Sequence, residues 1–172
     1  CSCNIREGFY MTTILVHRDI MYADSRIMDD SGMFFSTTKI IRVGEAIVGC
    51  SGEAHIAHMF LQQLREGRLA HEFEPPAPPP KKRHWEFDAL LLNPEGLWCF
   101  GPYFDIDKVE GLSYAIGSGA AAALGALHAL RRCLETSTSP ILAVQCACLV
   151  DGYSGLPVQW MQLGEFVIHT EY

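Results

Sequence analysis

Thr12 is a candidate nucleophile, provided that it becomes the first residue of the chain. A threonine hydroxyl is a weak nucleophile by itself. A free α-amino group on the same residue has a pKa of about 8 and can accept the hydroxyl proton. Met11 precedes Thr12, and an initiator methionine is readily removed before a small residue. The Met11-Thr12 pair therefore predicts a nucleophile that carries its own base.

Such a hydrolase needs three further groups, and the sequence offers a candidate for each. A lysine ammonium lowers the pKa of neighbouring groups, a carboxylate orients that lysine, and a backbone N–H at a helix start stabilises the oxyanion. The candidates are Lys39, Asp24 and Gly52, where Gly52 is expected to open the first helix. None of the three is specific alone, because such residues are structural far more often than catalytic.

The cysteines offer one rival nucleophile and no predicted metal site. Cys1 stands first in the sequence, but Thr12 fits the spacing to Asp24 better. Cys146 and Cys148 lie two positions apart on a predicted helix and therefore point to different faces. No paired Cys/His motif completes a four-ligand set. The seven cysteines are interpreted as mostly buried thiols of a reducing cytoplasm.

Composition excludes several classes of protein. The chain has 172 residues, 49% of them hydrophobic, which suits one domain with a substantial core. Its formal net charge of -7 argues against a general nucleic-acid binder. No apolar run reaches the roughly 18 residues of a membrane span. No cofactor and no membrane partner are predicted.

The elements that position the candidate residues are mainly strands in the first half of the chain. β-Branched and apolar residues predict a hairpin of 13–18 and 20–23 that turns at Asp19. A further strand pair is predicted within 33–43, and a buried strand over 46–50. Another hairpin, 87–93 with 97–100, turns at Pro94-Glu95-Gly96, and a short strand covers 114–116.

Three helices and a closing strand pair complete the prediction. Apolar residues recur at helical spacing from Ile56 to Leu64, with Ser51 or Gly52 as the cap. Two further helices are predicted over 120–132 and 139–150, followed by strands 157–161 and 165–170. The proline-rich stretch 75–80 predicts an extended connection. This order favours an α+β fold of two stacked antiparallel sheets with helices outside.

Six stretches resemble, in order, the motifs of the proteasome β-subunit family of N-terminal nucleophile hydrolases. The short first hairpin is most similar to the small bacterial proteasome homologues of β-proteobacteria, and then to the bacterial two-component proteasome-like protease. The stretches are Met11-Thr12-Thr13-Ile14, Ala23-Asp24-Ser25-Arg26, Lys39-Ile40, Gly49-Cys50-Ser51-Gly52, Gly117-Ser118-Gly119 and Asp151-Gly152-Tyr153-Ser154-Gly155.

The resemblance implies a role for each matching residue. Thr12 would be the nucleophile, Lys39 would tune it and Asp24 would orient Lys39. The Gly52 N–H would form the oxyanion hole. A hydrogen-bond network around the terminal amine would comprise Ser118, Asp151 and Ser154. For the substrate, Cys50 would form the floor of the main specificity pocket, with a preference for apolar side chains. Arg26 is assigned to the substrate side as well, where it supports the loop near Asp24.

The resemblance also implies an architecture and partners. The fold would be a four-layer αββα sandwich, with residues 1–11 as an extension or propeptide and 12–172 as one domain. The subunits would form stacked homo-oligomeric rings that hydrolyse peptides or unfolded proteins in the cytoplasm, with an ATPase unfoldase as partner. The family usually has a second helix where this chain has prolines 75–80. Two alternatives stay open: a catalytically silent ring or scaffold protein, and an amidohydrolase that uses Cys1.

Overall fold

A computed structural model describes residues 9–10, 12–28, 32–68, 70–80, 83–133 and 139–172, with residues 9 and 10 described as backbone only. These residues form strands, three α-helices and one short 3-10 helix, Ala70–Glu72. The α-helices are α1 (Ala54–Arg65), α2 (Ala120–Cys133) and α3 (Ser139–Val150). The strands are β1 (Phe9–Tyr10), β2 (Ile14–His17), β3 (Ile20–Ala23), β4 (Arg26–Met28), β5 (Phe34–Ser36), β6 (Ile40–Val43), β7 (Ala46–Glu53), β8 (Phe87–Asn93), β9 (Gly96–Phe100), β10 (Ile106–Val109), β11 (Ser113–Ile116), β12 (Val158–Gln162) and β13 (His169–Glu171).

The strands form two antiparallel sheets. Sheet A has the order β10-β9-β8-β7-β1-β4-β5, and β6 pairs with the edge of β7 beside β1. Sheet B has the order β11-β2-β3-β12-β13. Within sheet B the hairpin β2–β3 is central, so that Ile14 lies opposite Ala23 and His17 opposite Ile20. The hairpin therefore brings the residues that precede β2 next to those that follow β3.

Three apolar clusters hold four layers together. One cluster lies between the sheets and contains Ile14 and Met21 of sheet B with Ile47 of sheet A. A second packs sheet A against α1 around Phe60. A third packs sheet B against α2 and α3, through residues such as Leu15. Neighbouring residues of β2 thus point into different clusters, as the period of a strand requires. The predicted αββα sandwich is confirmed.

Local predictions hold best where the pattern is short-range. The hairpins β2–β3 and β8–β9 and the three helices are confirmed. The closing pair β12–β13 is confirmed as a pair, but its second strand begins at His169 and not at residue 165. The strand pair predicted within 33–43 is wrong, because β5 pairs with β4 and β6 pairs with β7. The predicted cap of α1 is also wrong: β7 continues to Glu53, and no side chain caps the helix.

The connection between α1 and β8 is irregular, as the prolines predict. Apart from Ala70–Glu72, the described residues from 66 to 86 form no helix or strand. Among the described α-helices, α1 is the one that packs against sheet A, together with the short 3-10 helix. In the described part of the chain, every helix is too short or too polar to cross a bilayer.

Candidate active site

The candidate residues lie at the ends of strands and helices that meet at one end of the sandwich. Thr12 comes just before β2 and Asp24 just after β3, so the hairpin brings them together. Lys39 stands immediately before β6, Ser118 follows β11, and Asp151 follows α3. The two sheets and the helix layer therefore contribute to a single cluster.

Asp24 is the centre of this cluster. Its carboxylate is fully buried and accepts five hydrogen bonds. The Thr12 hydroxyl (2.6 Å), the Thr13 N–H (2.9 Å) and the Lys39 ammonium (2.8 Å) all donate to Oδ1. The backbone N–H groups of Arg26 and Gly155 donate to Oδ2. A buried carboxylate needs such partners, and here they fix its orientation.

The hydroxyl of Thr12 and the ammonium of Lys39 are thus held on the same carboxylate oxygen. The side chains of Lys39 and Asp24 are both fully buried. Burial lowers the pKa of the Lys39 ammonium, while the charge of Asp24 and its hydrogen bond act in the opposite direction. A lysine whose pKa is lowered gives up or takes up a proton more readily at neutral pH. In a chain that retains Met11, the Thr12 nitrogen is an amide and has no lone pair to accept the hydroxyl proton.

A second hydrogen-bond network lies beside the Thr12 backbone. Ser118 and Ser154 both donate to Asp151 Oδ2, at 2.7 and 2.6 Å. Because Ser154 gives its proton to Asp151, its oxygen accepts from the Thr13 hydroxyl at 2.7 Å. The network therefore joins the end of α3 to the residue next to Thr12.

Two glycines let β11 and its turn approach Thr12 closely. Gly117 has φ +90, and a Cβ there would overlap the carbonyl oxygen of Thr12. At Gly119 a Cβ would overlap the Thr13 hydroxyl. The Gly119 N–H donates to the Thr12 carbonyl oxygen at 3.5 Å. Both positions therefore require glycine for steric reasons.

Gly52 lies near the end of β7, and not at the helix start predicted from the sequence. It pairs with Phe87 of β8 on one side and with Tyr10 of β1 on the other. Its φ is +96, and a Cβ would overlap the carbonyl oxygen of Glu86. The helix α1 begins two residues later, at Ala54. The assignment of the Gly52 N–H to the oxyanion hole stays a prediction.

Arg26 connects β4 to the loop that carries Asp151 and Ser154. Its guanidinium donates to the Gly152 carbonyl oxygen at 3.2 Å, and a Cβ at Gly155 would overlap it. The guanidinium also lies 5.0 Å from the ring centre of Phe34. These contacts agree with support of the loop near Asp24, while a contact with substrate stays a prediction.

Cys50 lies on the face of sheet A that α1 covers. It packs in the cluster around Phe60, and burial raises the pKa of its thiol far above the usual range. The thiol is therefore neutral and fits an apolar wall better than a nucleophile. Its role as a pocket floor stays a prediction.

The gap between β4 and β7 holds a short extended segment. Phe9 of β1 pairs with Met28 and with Glu53, and Tyr10 pairs with Gly52. The segment runs antiparallel to both neighbours and lies two residues before Thr12. The gap is therefore wide enough for one peptide strand, and both of its edges offer backbone partners.

Sequence reasoning missed Thr13, the Gly155 N–H and the strand β1 as parts of this site. Thr13 is a second threonine directly after Thr12, and nothing in its residue type indicates a separate role. A backbone N–H donor such as that of Gly155 is present in almost every residue and therefore gives no signal in the sequence. The prediction that most cysteines are buried is also wrong for the described residues: Cys50 is buried, Cys133 and Cys146 are exposed, and all five described cysteines are free. Cys1 and Cys3 lie outside the described residues. Among those described, no three His, Cys, Asp or Glu side chains are grouped to hold a metal.

The fold is that of proteasome-type N-terminal nucleophile hydrolases. BPH of Thiobacillus denitrificans is similar at 24% sequence identity and a TM-score of 0.63, over 88% of this chain and 98% of that chain. The same protein in complex with epoxomicin is similar at 24% sequence identity and a TM-score of 0.62, over 89% of this chain and 100% of that chain. Eukaryotic HslV from Trypanosoma brucei is similar at 19% sequence identity and a TM-score of 0.64, over 87% of this chain and 99% of that chain.

No protein-family profile and no curated protein sequence matches the chain. The resemblance predicted from the motifs is therefore confirmed at the level of the fold.

Proposed function

We propose that this chain is a threonine-type peptidase subunit that uses Thr12 as its nucleophile once residues 1–11 have been removed. The observation that carries the proposal is the shared carboxylate: the Thr12 hydroxyl and the buried Lys39 ammonium both donate to Asp24 Oδ1. A threonine with only a structural role would be satisfied by the hydrogen bond to Asp24, and a buried lysine on the same carboxylate oxygen would add nothing to that role. The fold supports the same reading, because it belongs to proteins of this class.

The reaction would proceed in two halves. The free α-amine of Thr12 takes the hydroxyl proton, and Oγ1 attacks the substrate carbonyl. The Gly52 N–H stabilises the tetrahedral oxyanion, which collapses to an ester on Thr12 and releases the amine product with the transferred proton. The same α-amine then activates a water molecule that hydrolyses the ester. Asp24 holds Lys39 in place, and Ser118, Asp151 and Ser154 orient the groups around the amine.

The substrate in this proposal is an extended peptide bound between β4 and β7. The position of β1 supports this, because one strand fits the gap with antiparallel pairing on both sides. Backbone pairing of this kind gives affinity with little sequence preference, and side-chain pockets add specificity. The neutral, buried Cys50 supports a preference for apolar side chains. Peptides and unfolded proteins meet the requirement for an extended backbone.

Labelling with an epoxyketone tests the proposed nucleophile. Epoxomicin is bound by one protein of the same fold, and it requires both a hydroxyl and a free amine on one residue. A chain that begins at Thr12 is expected to gain the inhibitor's mass on its N-terminal peptide, whereas the Thr12→Ala chain is not. Peptide mass spectrometry measures both.

Two other results of this experiment would contradict the proposal. A chain that begins at Thr12 yet shows neither labelling nor peptide hydrolysis would indicate the silent scaffold protein. Labelling at Cys1 in the full chain, measured with a thiol-directed amide analogue, would indicate the amidohydrolase.

An exposed apolar surface supports self-assembly as part of the proposed function. α3 contains no charged residue, and Leu149 and Val150 at its end are 84% and 74% exposed. The edge strand β5 exposes Phe34 and Phe35 on opposite faces. Among the described strands none pairs with the outer edge of β5, and an unpaired apolar edge without Lys or Pro is unusual in a monomer. Arg26 lies between β5 and the end of α3, since its guanidinium contacts both Phe34 and Gly152. We define this apolar end surface by residues 33–35, 149–150, 153 and 156.

We expect the apolar end surface to be covered by a neighbouring copy in a homo-oligomeric ring. The double variant Leu149→Glu/Val150→Glu is expected to reduce the molar mass to that of a smaller species in multi-angle light scattering. The matched control is Leu112→Glu, because Leu112 is 57% exposed on the turn before β11, away from this surface. A parent chain that is already monomeric, or a double variant of unchanged mass, would contradict the assignment. An ATPase unfoldase is proposed as a partner of the assembled ring.

A further inference from the structure

A cavity of about 980 Å³ lies at the end of sheet B that is remote from the candidate active site. It is bounded by the turn between β2 and β3, by the start of β11 and by the second half of α2. β2 leads from Thr13 to His17, and β11 leads from Ser113 to the turn at Gly117. The cavity thus lies one strand length away from Thr12, and its volume suits a small molecule. The proposed function leaves it without a role.

Positively charged side chains line this cavity. Arg18, Arg131 and Arg132 line it, and among the described lining residues only Asp19 carries a carboxylate. Within the described parts of the chain, no carboxylate forms an ion pair with any of the three guanidiniums. Asp19 instead accepts a hydrogen bond from Gln162 at 2.8 Å. Three arginines in one cavity of a chain with net charge -7 indicate a site for an anion.

The backbone of Arg18 provides an independent observation. Arg18 lies in the two-residue turn between β2 and β3 with φ +57. Glycine or asparagine is the usual residue in this left-handed conformation, because a larger side chain is disfavoured there. The turn thus accepts backbone strain to present a guanidinium at the cavity. Strain of this kind collects at ligand sites.

His17 adds a polar group with a fixed orientation. Its Nδ1 lies 2.7 Å from the Ser113 hydroxyl. Burial, and then the charges of Arg131 and Arg18, lower the pKa of this imidazole. His17 is therefore neutral at neutral pH, so the positive charge at the cavity comes from the arginines. His128, Asp19 and Tyr22 are the other titratable residues among the described lining residues, and burial raises the pKa of Tyr22 to about 12.

Part of the remaining wall is apolar. Leu124, Leu127 and Pro140 line the cavity, and Leu127 is buried. A ligand that fills the volume therefore needs an organic body as well as an anionic group. A phosphate suits three guanidiniums better than a carboxylate does, because it carries more charge and more acceptor oxygens in a geometry that arginine matches.

We propose that this cavity binds a phosphorylated small molecule, with the phosphate between Arg18, Arg131 and Arg132 and the organic part against Leu124 and Leu127. The inference does not depend on the proposed peptidase function. Its test needs no activity and uses the full chain. Isothermal titration calorimetry with ADP, inorganic pyrophosphate, adenosine and citrate separates the contributions of phosphate, organic body and carboxylate.

ADP is expected to bind, and adenosine and citrate are expected to bind at least about tenfold more weakly. Arg131→Ala/Arg132→Ala is expected to weaken ADP binding at least about tenfold, which corresponds to the loss of strong charge-assisted contacts. The matched control is Arg65→Ala/Arg68→Ala, which removes two arginines near the end of α1 and is expected to leave binding unchanged. Pyrophosphate that binds as tightly as ADP would identify a free phosphate compound as the ligand and support the phosphate site. Citrate binding equal to that of pyrophosphate would overturn the phosphate assignment.

Arg18→Gly is a second test, in which stability and ligand binding are expected to change in opposite directions. Glycine relieves the strained turn, so the melting temperature without ligand is expected to rise by roughly 2–4 °C. The same variant is expected to weaken ADP binding at least about tenfold. A purely structural arginine would not combine higher stability with weaker binding. Unchanged binding in both arginine variants, or no binding of any phosphate compound to the parent chain, would overturn the proposal.

Discussion

A chain that begins at Thr12 is expected to hydrolyse a fluorogenic peptide about 10²–10⁴ times faster than the chain that retains residues 1–11, because only the former has a general base on its nucleophile. In the longer chain the Thr12 nitrogen is an amide, and the hydroxyl proton is directed to Asp24. β1 also occupies the gap between β4 and β7. Fusion to a protein that is cleaved off before Thr12 provides the shorter chain, and the rate of fluorescence increase measures kcat/KM.

A chain that begins at Met11 separates the two effects, provided that it is released in vitro from a purified fusion and its intact mass shows that Met11 is retained. It lacks β1, so the gap is open, but its Thr12 nitrogen is still an amide. We expect it to bind a peptide competitively in fluorescence anisotropy and not to turn it over. The full chain is expected to bind the same peptide more weakly. The Thr12→Ser chain that begins at residue 12 keeps both groups and is the conservative control. Equal turnover by the chains that begin at Met11 and at Thr12 would refute the role of the α-amine.

The parts of the fold that were predictable from sequence depend on local patterns. α2 and α3 follow from uninterrupted helical stretches, and the hairpin β8–β9 follows from its turn residues Pro94-Glu95. β4 and β10 were missed because strands of three and four residues carry little periodicity. The pairing of β5 with β4, and of β6 with β7, joins residues across the sheet, and no local pattern encodes it.

In the candidate site too, some groups could be predicted from the sequence and others could not. The motif residues with side-chain chemistry, Thr12, Asp24 and Lys39, come together as the resemblance implied. Three of the five donors to Asp24 could not be predicted by residue type, because they are the backbone N–H groups of Thr13, Arg26 and Gly155. Gly52 was placed on the wrong element because its sequence signal, a glycine before a helical pattern, fits a cap and a strained strand end equally well.

Asp24→Asn is expected to lower the free energy of unfolding by about 3–5 kcal/mol, because it removes the buried carboxylate that pairs with the buried Lys39 ammonium. Asparagine keeps the shape of aspartate, so the change is mainly one of charge and of hydrogen-bond type. Its amide NH₂ would also face donors where the carboxylate accepted five hydrogen bonds. Urea denaturation measures the loss, and Asp107→Asn on the exposed side of β10 is the control.

The double variant Asp24→Asn/Lys39→Met distinguishes charge from packing. Removing both partners of a buried ion pair is often close to neutral, whereas removing one is strongly destabilising. We therefore expect the double variant to recover most of the stability that Asp24→Asn loses. Peptide hydrolysis should stay absent, because the hydroxyl of Thr12 has lost both the carboxylate and the ammonium.

Recovery of stability without recovery of activity would mean that the pair is kept for catalysis and not for the fold. A total stability of about 5–15 kcal/mol leaves little room for a buried pair that only roughly breaks even. If the single Asp24→Asn change were instead neutral for both stability and turnover, Lys39 would be unprotonated or hydrated in the folded chain. The shared carboxylate could then no longer carry the peptidase proposal.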